Sequence, residues 1–174
     1  HSIHLVLGER VILQNPCHVL IAANQPRRPP VAKGHGPNGS LGPQADHDIR
    51  VAGGVWTTLS TSRTQTNGNT RGRADAAGTT AGCFGVMLFN NVDGLAIRGV
   101  TIKQGKPFGI QASLLRHFLI DRISFVDHRC DGIHLNGPAS DGIIREIGGV
   151  TYDDLVALNA WDWRYGNGEE IEPG

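Results

Sequence analysis

Asp131, Asp153 and Asp154 are the side chains whose types and spacing could do chemistry, since Asp131 and Asp154 stand 23 residues apart and Asp153 adjoins the second. Carboxyls gathered in one patch repel, so the patch keeps a proton that an isolated carboxyl would lose. A protonated carboxyl beside an ionised one is what cleavage of a glycosidic bond requires. One gives its proton to the leaving oxygen while the other activates water. Gln111, His134 and Trp161 are the accompanying candidates for holding a sugar chain. Trp161 and Trp163 share one expected strand face, as a stacking platform for pyranose rings or as apolar cover for the last strands.

Bringing those carboxyls together requires a repeating scaffold, and the sequence has one. The segments beginning at Phe84, Phe108, Asp131 and Asp154 follow each other at steps of 24, 23 and 23 residues. Ile97, Ile120 and Ile144 form a second column, and Val100, Ile123 and Ile147 a third, both at steps of 23 and 24. Short β-branched strands repeating at this interval predict an all-β solenoid, a parallel β-helix with coils of about 23 residues, in which each coil buries its apolar face on the next. Strand alternation predicts Ile97, Ile120 and Ile144 inside and Arg98, Asp121 and Arg145 outside. Val51 to Ile97 is 46 residues, which predicts one intervening coil. Asp131 and Asp154 are then expected about 4.8 Å apart on neighbouring strands. Asp153 joins them only through a turn or bulge at Tyr152 and Asp153.

The 174 residues read as a single domain, with aperiodic excursions at 24–47, rich in Pro and Gly, and at 57–82, rich in Thr, Ser and Gly. Acidic and basic residues balance at 16 each, so neither a nucleic-acid surface nor a basic membrane patch is expected. No apolar run approaches the roughly 20 residues of a membrane span. Cys17, Cys83 and Cys130 are an odd set without metal-type spacing. His128, Cys130 and His134 do not converge on alternating strands, and Gly34–Gly39 lacks the helix start that a dinucleotide needs, so no metal or cofactor is expected. Neither end carries an amphipathic cap, and both are expected to be covered by missing sequence or by self-association with another copy.

Arg129-Cys130-Asp131-Gly132-Ile133-His134-Leu135, Asp141-Gly142-Ile143-Ile144-Arg145 and Tyr152-Asp153-Asp154-Leu155 together resemble the polygalacturonase-like glycoside hydrolases. The Asn-Thr-Asp-Gly motif of that family corresponds to Arg129–Gly132, and its Gly-Asp-Asp motif to Tyr152–Asp154. The resemblance implies a right-handed parallel β-helix and an inverting hydrolysis of a pectic or related polysaccharide. In it Asp153 would be the general acid, with Asp131 and Asp154 holding the attacking water. It also implies an extracellular or periplasmic location. Arg129, Cys130 and Tyr152 depart from the motifs, and the family's downstream Gly-His-Gly and Arg-Ile-Lys motifs have no counterpart before Gly174. An incomplete, inactive piece is therefore one expectation. The alternatives are a noncatalytic carbohydrate-binding or structural solenoid, and a calcium-dependent polysaccharide lyase.

Overall fold

The computed structural model describes residues 3–8, 12–15, 22–23, 45–58, 85–105, 108–136, 138–159, 165–166 and 169–170. Among these residues there are strands and turns but no helix. In chain order the strands are β1 (Ile3–Val6), β2 (Ile12–Asn15), β3 (Ala22–Ala23), β4 (Asp46–Ala52), β5 (Val55–Thr58), β6 (Gly85–Arg98), β7 (Thr101–Lys103) and β8 (Phe108–Arg116). Then follow β9 (Leu119–His128), β10 (Ile133–Asn136), β11 (Ala139–Ser140), β12 (Ile143–Thr151), β13 (Val156–Asn159), β14 (Tyr165–Gly166) and β15 (Glu169–Glu170). All pair in parallel except β14 with β15.

Three ladders run through the sheet. In the first, Ala22, Met87, Ile110, Ile133 and Val156 are successive partners. In the second the partners are Leu5, Val51, Ile97, Ile120 and Ile144. In the third they are Leu13, Trp56, Ile102, Phe125 and Gly149. The isoleucine column expected from the sequence is therefore present. Ile97 and Ile120 are fully buried, while Ile144 on the outermost strand is partly covered. Met87, Ile110, Ile133, Val51, Ile97, Ile120, Trp56, Ile102 and Phe125 belong to one buried core, and Ile144 and Val156 at its margin are only partly buried against it.

Three expectations change. Val51 pairs directly with Ile97, so no rung intervenes. The interval instead spans β5 and the segment 59–84, which lies outside the described residues. Gly85, not Phe84, is the partner of Phe108, a shift of one residue that sends each side chain of that segment to the opposite face. Asp121 is on the outer side as expected but is buried. Its carboxylate accepts from Arg145 Nε at 2.9 Å, and Arg122 Nη2 lies 3.3 Å away. The Arg145 hydrogen bond, opposed by desolvation and helped by the charges of Arg122, Arg145 and Arg98, holds the Asp121 carboxyl below its ordinary value. The paired Arg145 guanidinium is shifted up by the same contact. As to the excursions, β4 starts at Asp46 and β5 extends to Thr58, and 24–44 and 59–82 lie outside the described residues.

Positive backbone φ also recurs at the repeat interval. Gly94, His117 and Asp141 follow at the repeat interval with φ of 86°, 51° and 54°, as do Gly99, Arg122 and Glu146 with 61°, 55° and 54°. Two of the three members of each column adopt this left-handed conformation without glycine's freedom. Gly53 is a different case. At φ 74°, a Cβ there would fall 2.0 Å from the Leu7 carbonyl oxygen.

Candidate functional site

Asp131 lies just before β10, between two neighbouring strands. Gly109 N donates to the Asp131 carbonyl at 2.9 Å on one side, and Gly132 N donates to the Asp154 carbonyl at 2.8 Å on the other. Phe108, Asp131 and Asp154 therefore occupy successive rungs at one backbone position, as the repeat predicts. Gly132 is required by this close approach: a Cβ would lie 2.7 Å from the Leu155 carbonyl and 2.7 Å from the Phe125 ring. His128, fully buried and tilted against Phe125, points Nε2 at the Asp131 carbonyl at 3.1 Å. A carbonyl only accepts, so Nε2 carries the proton.

The side chains group differently from the backbone rung. A carboxylate oxygen of Asp131, one of Asp153 and the Cys130 thiol lie within 4.8 Å of one another. Asp154, exposed, shares the rung but is not part of this group. The expected irregularity is a register shift between Gly149 and Thr151, slightly before the Tyr152–Asp153 position, beyond which Asp153 stands one repeat after Cys130. It is followed by a hydrogen bond from Thr151 Oγ1 to the Asp153 carbonyl at 2.9 Å. A thiol with two carboxylates suits a borderline divalent ion better than calcium, which takes oxygen ligands.

Asp131 is also held from within. Its Oδ2 lies 2.7 Å from His134 Nδ1, and the His134 ring stacks on Phe108 with centroids 3.9 Å apart and planes at 14°. His134 Nε2 faces Asn159 Nδ2 at 3.4 Å. Gln111 and His134 are neighbours in the ladder, as expected of a shared face. They are nevertheless only 2% and 1% exposed, so in this structure they present little surface to a sugar chain. Trp161 lies outside the described residues, as does Trp163.

No family model, curated protein or solved structure matches this chain. What the site can do follows from its own residues. Arg129 and Tyr152 meet each other: the Arg129 guanidinium sits 4.4 Å above the Tyr152 ring, with Asp127 Oδ1 3.2 Å from Arg129 Nη2. Sequence reasoning missed Cys130, Phe108 and Asn159 as site residues. For Asn159 a signal existed, because it stands one repeat beyond Asn136. For Cys130 a signal of the same kind existed, because it stands one repeat before Asp153.

Proposed function

We propose that the chain is a right-handed parallel β-helix that processes or holds an acidic polysaccharide, with glycoside hydrolysis as its reaction. The three parallel ladders and the recurring positive φ support the helical scaffold. The observation that carries the reaction is the convergence of the Asp131 and Asp153 carboxylates within 4.8 Å, one buried and one exposed. Asp153, open to solvent, gives its proton to the glycosidic oxygen as the bond to the anomeric carbon breaks. Water attacks that carbon and passes its proton to Asp131, whose Oδ2 lies 2.7 Å from His134 Nδ1. The approach is shorter than the roughly 6.5–9.5 Å of ordinary inverting pairs. The water is therefore assigned to the flank of the pair towards Asp154 rather than between the two. Such a polymer implies an extracellular or periplasmic setting.

Reducing-sugar release on polygalacturonate tests the reading. Asp153→Asn is expected to lower kcat by about 10²–10⁴-fold, the ordinary contribution of a general acid. Release unaffected by that change, or dependent on calcium with an unsaturated product, would overturn it. A second reading, binding without turnover, is favoured by the burial of Asp131 at 6% exposure. It predicts oligogalacturonate affinity in calorimetry with no product formed.

A further inference from the structure

We infer that His134 is a positioning residue, its tautomer fixed by the Asp131 carboxylate and matched by Asn159 on the other ring nitrogen, so that it donates a fixed hydrogen bond to Asp131. The inference rests on the acid–base reading of Asp131 given above. An amide nitrogen only donates, so Asn159 Nδ2, 3.4 Å from His134 Nε2, makes that ring nitrogen the acceptor. A neutral imidazole with Nε2 as acceptor carries its proton on Nδ1. Nδ1 lies 2.7 Å from Asp131 Oδ2, which identifies the donor and acceptor of that short contact. The ring cannot turn away, since the Phe108 face stacks on it and its side chain is 2% exposed.

The parts come from three successive strands of one ladder: Phe108 opens β8, His134 is in β10 and Asn159 ends β13. Asn159 reports the position of the outer strand to His134, and His134 fixes one oxygen of Asp131. The carboxylate so fixed is the one that lies within 4.8 Å of Asp153. Seating of β13 is thereby coupled to the orientation of a carboxylate one strand away. The same constellation accounts for a histidine buried beside an aspartate without assigning it any contact with sugar.

Nitrogen-15 shifts of the His134 ring in the unmodified chain at about pH 8, above the ordinary histidine range, are expected to show a protonated Nδ1 and a bare Nε2. A proton on Nε2 instead would overturn the inference, whether or not the protein hydrolyses anything. Kinetics on polygalacturonate give the second arm. His134→Leu is expected to lower kcat about 10²-fold with KM little changed, the scale of a group displaced by about an ångström. His134→Asn places an amide N–H where Nδ1 was and is expected to recover most of that loss. Equal impairment of both variants, or a change confined to KM, would overturn the positioning role. Absence of turnover in the unmodified chain would remove the hydrolase reading and leave the tautomer to be decided by the shifts.

Discussion

Asp121 shows how a charge can be buried on the outer side of a sheet. Arg98 and Arg145 occupy the same column on the strands before and after it, and Arg122 follows it in sequence, so three guanidiniums surround one carboxylate. Its carboxyl is depressed in the folded chain, first by the Arg145 hydrogen bond. Such a group contributes stability that is complete above its unfolded value of about 3.9 and is lost as pH falls through the folded one. The urea midpoint is therefore expected to fall between about pH 5 and pH 2, and in Asp121→Asn to start lower at neutral pH and fall less steeply. Parallel pH profiles for the two proteins would show that this carboxyl is not linked to folding. Gly132 gives a second prediction at this scale. Gly132→Ala forces a methyl against a carbonyl and an aromatic ring in a closed site and is expected to cost about 1–3 kcal/mol, read from guanidinium denaturation.

Between elements, stability follows position in the stack. Ile120 is covered by Ile97 on one side and Ile144 on the other, whereas Ile144 has a partner on one side only among the described residues. Ile120→Ala is expected to cost about 2–5 kcal/mol and Ile144→Ala less than half as much; equal losses in denaturant titration would contradict the stacking account. The isoleucine column was legible because β-branched residues at a constant interval have few other uses. The 46-residue step from Val51 to Ile97 was not, because an aperiodic excursion of the right length imitates a missing rung. The slip at Phe84 arose from matching aromatic side chains, while backbone pairing chose Gly85. At the site, the Asp131–Asp154 rung was readable from the repeat. In the Asp131–Asp153–Cys130 grouping, the Cys130–Asp153 step is the same 23-residue repeat, but that the Asp131 side chain joins them rather than Asp154 depends on side-chain direction, which spacing does not encode.

For the molecule as a whole, the ends of the ladders among the described residues are where association is expected. Ile143, Val150 and Leu158 on β12 and β13 are 57%, 57% and 70% exposed, and Val6 on β1 is 74% exposed. Among the described residues β1 pairs only with β4 and β12 only with β9, and a sheet edge beside such side chains is a template for another strand. Acidic and basic residues balance at 16 each, so charge repulsion gives little protection against association. In a purified sample the available partner is another copy. The β12 edge of one copy meeting the β1 edge of the next is a head-to-tail contact, which repeats without closing. Light scattering is therefore expected to show an average mass that rises with concentration and, because the contact is apolar, persists in high salt. Ile143→Lys combined with Leu158→Lys should lower that mass toward a single chain without altering the folded circular-dichroism spectrum. A mass independent of concentration in the unmodified protein, or unchanged association in the double variant, would place the exposed residues outside any contact between copies.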